Sequence, residues 1–129
     1  NKNIYNTIVL KILLVEDNKV NQMLAEKVLT SWGLNVDIAN NGLEAIDSVK
    51  LKPYDLILMD LQMPKMDGYN ATKALREEHN ISQPIIAMTA SAMKDDLDRC
   101  LSLGMNAYVT KPFQPHDLKE LIGKWLNNN

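Results

Sequence analysis

A chain of 129 residues with 46% hydrophobic and 23% charged residues has the make-up of one soluble globular domain with a single two- or three-layer core. Its formal charge of −2 and pI near 5.6 leave no basic footprint for nucleic acid, and no apolar run approaches the roughly 18–20 residues of a membrane helix. The single cysteine, Cys100, allows no internal disulfide and fits a reducing compartment.

Residues 1–7 are polar and aperiodic and read as a leader or linker. The domain is expected over 8–126, with 127–129 as a polar tail. No signal peptide is visible. The chain opens on Asn1 rather than methionine and closes on three asparagines, so both ends read as cut. One module of a longer polypeptide is the expectation.

Ile8 to Val15 is aliphatic except for Lys11 and predicts a buried strand that closes on Glu16-Asp17-Asn18. From Lys19 to Trp32 the helical stripe is Val20, Leu24 and Val28, with Ala25, Leu29 and Trp32 alongside, and Gly33 supplies a left-handed stop. Asp17 or Asn18 can cap this helix. Leu34 to Ala39 predicts a second strand. Asn40-Asn41 can cap the next helix, with stripe Leu43, Ile46 and Val49.

Leu56-Ile57-Leu58-Met59 is apolar on both faces, as in a strand central to a sheet covered by helices, and it ends abruptly at Asp60. After the Asp67-Gly68 turn, Tyr69 to Glu78 predicts a helix carrying Ala71, Ala74 and Leu75. Pro84 opens a fourth strand, Ile85 to Met88, ending at Thr89. A weaker helix is expected from about Ala92 to Leu103, with Met93, Leu97, Cys100 and Leu101 on one side. Ala107-Tyr108-Val109 predicts the fifth strand, ending in Thr110-Lys111-Pro112. The last helix has Pro115 in its first turn and the stripe Leu118, Leu121, Ile122 and Trp125.

Strands alternating with helices predict an α/β doubly wound, five-stranded parallel sheet with right-handed crossovers. The flavodoxin-like (βα)5 order 2-1-3-4-5 has its switch point between the strands ending in Asp17 and Asp60, where open α/β sheets bind ligands. In a parallel sheet the strand ends share one rim, so Glu16, Asp17, Asp60, Thr89 and Lys111 converge. Three carboxylates there repel one another and need neutralising. Mg²⁺ suits one or two carboxylates with waters and phosphate oxygens, and Lys111 is a compact charge for a phosphoryl oxygen. Thr89 offers a hydroxyl to another. Asp60 is then a nucleophile toward phosphorus, in a reaction helped mainly by positioning and charge.

Val-Glu-Asp-Asn at 15–18, Met-Asp-Leu-Gln-Met-Pro at 59–64, Met-Asp-Gly at 66–68, Met-Thr-Ala at 88–90 and Lys-Pro-Phe at 111–113 together resemble the receiver domain of two-component response regulators. The likeness covers about residues 10–126. It implies that Asp60 is the phosphoacceptor, that Asp17 binds Mg²⁺ directly (Mn²⁺ as an alternative), and that Glu16 acts through water. The Gln62 backbone carbonyl would be the remaining protein ligand. It further implies that Thr89 and Lys111 bind the phosphoryl oxygens, that Lys111-Pro112 is cis, and that Tyr108 is the switch aromatic coupled to Thr89.

The style of the motifs is similar to receivers of hybrid sensor histidine kinases. These take phosphate from a kinase histidine and pass it to a histidine phosphotransfer bundle. Such a domain would be cytoplasmic, whether or not its parent is membrane-anchored. It would be a monomer or weak dimer with no nucleic acid or direct membrane contact. Asn18, Val20, Met23 and Phe113 ring the mouth of Asp60 and are expected to touch the phosphohistidine partner.

Blander readings stand beside these. Asp60 alone could cap a turn, Thr89 could cap the weak helix, and Lys111 could be a solvated loop residue. Tyr108 could be a half-buried strand aromatic, Cys100 a small core residue, and His79 and His116 surface groups. Competing functions are a stand-alone response regulator, an aspartyl-phosphate phosphohydrolase and a flavin mononucleotide binder. The hydrolase reading lacks the Asp-x-Asp after the first strand and room for a cap domain. The flavin reading lacks a Ser/Thr/Gly-rich loop, and aromatics make up only 5%.

Overall fold

The computed structural model describes residues 9–91 and 93–127. The leader 1–7, Ile8 at the expected start of the first strand, Ala92, and Asn128-Asn129 of the tail lie outside the described residues. In chain order the elements are β1 Lys11–Val15, α1 Lys19–Ser31, β2 Asn35–Ala39, α2 Gly42–Leu51 and β3 Leu56–Asp60, followed by α3 Gly68–Glu77, β4 Ile85–Thr89, α4 Lys94–Ser102, β5 Ala107–Thr110 and α5 Pro115–Asn127. The strands form one parallel sheet in the order β2-β1-β3-β4-β5, as the sequence predicts.

Side-chain alternation along each strand sorts the core into two layers. Leu13, Val15, Ile57, Met59, Ile85 and Ala87 pack with Ala45, Ala71, Leu75 and Cys100, on the side of α2, α3 and α4. Ile12, Leu14, Leu56, Leu58, Ile86 and Met88 pack with Ala25, Leu29, Leu118 and Ile122, on the side of α1 and α5. Every residue of β3 is buried, because both of its neighbours and both helical layers cover it. Truncating a side chain such as Leu58 to alanine would cost about 2–5 kcal/mol.

The helix stripes differ from expectation at three places. In α1 the buried residues are Gln22, Ala25 and Leu29, while Val20, Met23 and Leu24 are 62%, 66% and 56% exposed. In α2, Gly42 and Ala45 face inward and Leu43 faces out. The Gly42 amide donates to the Met66 carbonyl, so that helix lies close against the loop before α3. In α4 only Cys100 is buried, and Leu101 and Met93 are exposed. Gly33 and Gly104 take positive φ after α1 and α4, the left-handed stop predicted for Gly33. Among the described residues no helix is long and apolar enough to cross a membrane.

Candidate functional site

The alternation that builds the core also aims the site. Glu16 continues the phase of Ile12 and Leu14, Asp60 that of Leu56 and Leu58, and Lys111 that of Val109, so all three side chains emerge on the α1/α5 side of the rim. Lys111 Nζ lies 2.9 Å from Glu16 Oε1 and 3.1 Å from Asp60 Oδ2. The Gln62 amide donates to Asp60 Oδ1 at 3.2 Å, and the Asn18 amide donates to Glu16 Oε2 at 3.0 Å. Carboxylate oxygens of Glu16, Asp17 and Asp60 come within 4.8 Å of one another. Three acids this close, with hard oxygen donors and one exposed member, fit a divalent cation such as Mg²⁺. A cavity of about 240 Å³ opens over them, also lined by Asn18, Gln62 and Thr89.

Glu16 and Asp60 are 1% and 4% exposed, and burial has electrostatic consequences. Desolvation, opposed by the Lys111 hydrogen bond and reinforced by the Glu16 charge, pushes the Asp60 carboxyl up to about 6. For Lys111, burial alone would lower the ammonium. Its hydrogen bonds and charge attraction to Glu16 and Asp60 outweigh that and raise it. At neutral pH the site therefore holds a protonated Lys111 against an ionised Asp60 carboxylate.

The loops around the site are held by local chemistry. Asn18 caps α1, accepting from the Asn21 amide at 3.0 Å. The Asp67 side chain caps α3, accepting from the Asn70 amide at 2.8 Å. The Gly68 amide donates to the Leu61 carbonyl at 3.0 Å. The Lys111 amide donates to the Thr89 carbonyl at 2.7 Å, and the Lys111-Pro112 peptide is cis.

Thr89 lies out of phase with the other site residues, continuing Ile85 and Ala87 toward the opposite layer. Its hydroxyl exchanges hydrogen bonds with the Ser91 amide and carbonyl, each at 3.0 Å, and Ser91 Oγ donates to Asp96 at 2.8 Å. Thr89 does not cap α4, whose N-terminal neighbour is Met93 with no side-chain bond. Tyr108 is 42% exposed on β5, more open than a half-buried strand aromatic.

Of the expected contact residues, Val20 and Met23 are exposed on α1, Asn18 lies at its cap, and Phe113 is half-buried. Beside them a groove of about 510 Å³ runs between α1 and the segment after β5. It is lined by Leu24, Val28, Met88, Pro112 and Phe113 and reaches Glu16 and Lys111. Two polar side chains escaped the sequence reading. Gln22 is buried beneath the site. Arg76 donates to the carbonyls of Gly104, Ile81 and Gln83 and to Asn106 Oδ1 at 2.7–2.9 Å. Neither has a periodicity signal.

The response regulator receiver domain family matches residues 12–123. Hybrid signal transduction histidine kinase B of Dictyostelium discoideum is 46% identical over 91% of this chain, and sensor histidine kinase GacS of Pseudomonas protegens is 38% identical over 89%. The chain spans only 7% and 13% of those two proteins. Among solved structures, one is the receiver domain of a Pseudomonas aeruginosa sensor histidine kinase with a magnesium ion coordinated in its active site cleft. It has a TM-score of 0.85 and 42% identity, covering 93% of this chain and 99% of that one. Another comes from the complex of a Saccharomyces cerevisiae histidine phosphotransfer signalling protein with the receiver domain of its downstream response regulator. It has a TM-score of 0.83 and 36% identity, covering 91% and 88%. A receiver fold, an acidic rim bridged by a lysine, and relatives among hybrid histidine kinases all agree: this chain belongs to the response regulator receiver domain family.

Proposed function

We propose that this domain, over residues 8–126, is a phosphorelay receiver of a hybrid sensor histidine kinase. It accepts a phosphoryl group on Asp60 and passes it to a histidine phosphotransfer domain. The observation that carries this reading is the buried Asp60 carboxylate, ion-paired to Lys111 within reach of Glu16 and Asp17. An Asp60 oxygen attacks the phosphorus of a phosphohistidine. The P–O bond forms as the P–N bond breaks, and the released imidazole takes up a proton. Lys111 exchanges its carboxylate contact for a non-bridging phosphoryl oxygen, and the Thr89 hydroxyl leaves Ser91 for another.

Asp17, Asp60 and the Gln62 carbonyl would hold Mg²⁺ or Mn²⁺, with Glu16 acting through water. The cation neutralises charge on the phosphoryl oxygens when bound. The magnesium-bound relative supports this assignment.

The yeast complex supports a histidine phosphotransfer partner. Asn18, Val20, Met23 and Phe113 would receive it. Tyr108 would follow Thr89 in the switch. In this reading the domain is cytoplasmic and a monomer or weak dimer.

The test is transfer from a phosphorylated histidine phosphotransfer domain. Label should leave the histidine protein and appear on the wild-type receiver but not on Asp60→Asn. Retention of all label on the histidine in the presence of wild type would defeat the proposal.

A further inference from the structure

The geometry points to Gln22 as a positioning residue that sets the Glu16-Asp17 peptide for cation binding. This rests on the reading of Glu16, Asp17 and Asp60 as a metal site. Gln22 is 5% exposed on the same face of α1 as the apolar Ala25 and Leu29. An amide there is costly unless its protons find acceptors. Both do. Gln22 Nε2 donates to the Glu16 backbone carbonyl and to Asn40 Oδ1, the latter at 2.8 Å.

The direction of these bonds is forced. A backbone carbonyl only accepts, so Gln22 must present its nitrogen to Glu16. Asn40 must turn its own nitrogen to Glu44 Oε1, at 2.8 Å, which leaves its oxygen for Gln22 and for Lys19 Nζ at 2.8 Å. Glu44 Oε1 also accepts the Asn40 amide at 2.9 Å. One polar chain therefore runs from the end of β1 through α1 to the start of α2.

The link to the metal site is covalent. The Glu16 carbonyl lies in the planar peptide that joins Glu16 to Asp17. The Glu16 amide already donates to the Ala39 carbonyl at 3.0 Å. With the carbonyl held by Gln22, both sides of Glu16 are fixed, and so is the plane from which Asp17 departs. Asp17 is itself exposed, so its direction depends on that anchored peptide. Outer contacts of this kind set metal affinity without touching the metal.

The experiment is a Mg²⁺ titration at constant ionic strength, followed by amide chemical shifts of the folded domain well below its unfolding temperature. Wild type should show saturable shifts at Asp17 and Asp60. Their absence in wild type would overturn the metal-site reading itself. Gln22→Met keeps the length and bulk of the side chain but donates nothing, and should weaken Mg²⁺ binding about tenfold. Asn40→Ala, which cuts the far tether, should weaken it roughly two- to threefold, a fraction of the outer-contact effect. Leu29→Ala serves as the control, lowering the unfolding temperature while leaving Mg²⁺ affinity as in wild type.

Affinity within twofold of wild type in folded Gln22→Met, with wild type binding normally, would overturn the role of Gln22. An equal loss in Leu29→Ala would also overturn it, by showing a general effect of destabilising α1. If Gln22→Met does not fold, Asn40→Ala decides, and unchanged affinity there rejects the proposal.

Discussion

Lys111 Nζ lies 3.1 Å from Asp60 Oδ2, although β4 stands between the two strands that lead to them. The lysine spans that strand only because both side chains leave the rim on the α1/α5 side. Its ammonium satisfies Glu16 with the same reach. Replacing Lys111 by alanine should slow Asp60 phosphorylation by a small phosphodonor at saturating Mg²⁺ by about 10²-fold or more, the cost of losing a preorganised charge donor. Initial labelling rates check this. Lys111→Arg should not restore the rate, because a planar fork cannot replace a compact ammonium between two carboxylates.

Asp60 should cost the metal-free domain stability at neutral pH. Its carboxyl is raised from 3.8 to about 6, chiefly by burial. A group with a raised folded pKa contributes stability that is fully present below the unfolded value and lost as pH rises through the folded one. Asp60→Asn should therefore be more stable than wild type at pH 7 in chelator, by on the order of 1–3 kcal/mol. The advantage should shrink through pH 6 to 4. Urea unfolding at a series of pH values measures it, and a pH-independent difference would contradict the assignment.

On the far side of the sheet, Tyr54 donates its hydroxyl to Asp37 Oδ2 at 2.7 Å. Burial, with that bond, pushes the phenol up to about 12. Its contribution is full below 10 and lost as pH rises through about 12. Absorbance titration should show a tyrosine ionisation near 12 in wild type that is lost in Tyr54→Phe. The substitution should also cost about 1 kcal/mol at pH 7, the net value of a hydrogen bond.

Two glycines should respond differently to alanine. Gly33 has φ +84° and open space around it, so Gly33→Ala pays only the left-handed backbone term, about 1–2 kcal/mol. At Gly68 an added Cβ would overlap the carbonyl oxygen of Asp60 and press on Leu61. Gly68→Ala should cost more, about 2–4 kcal/mol, and should also weaken Mg²⁺ binding because the Gln62 loop must move. Parallel urea unfolding and Mg²⁺ titration of the two variants separate these effects.

Much of this was legible in the chain because it rests on the period of two. Leu56 to Met59 reads as buried on both faces, Asp60 interrupts it, and parallel topology then brings Asp17 and Lys111 to the same rim. Helix faces were harder to read. Val20 and Leu24 look like core by spacing, yet they are exposed beside the apolar groove, where hydrophobicity serves a surface. Gln22 looks like surface and is buried, because its partners come from Glu16 and Asn40 rather than from its own helix. Thr89 lines the site cavity while its hydroxyl bonds the Ser91 backbone, a local contact that strand periodicity does not announce. Arg76 ties α3 to the loops before β4 and β5 through carbonyls, which no side-chain pattern announces.

The measurement that bears most directly on the central claim is the intact mass of the domain after incubation with acetyl phosphate, with and without Mg²⁺. The account predicts a single added phosphoryl group on wild type that requires Mg²⁺ and is absent from Asp60→Asn. No adduct on wild type, or the same adduct on Asp60→Asn, would contradict it.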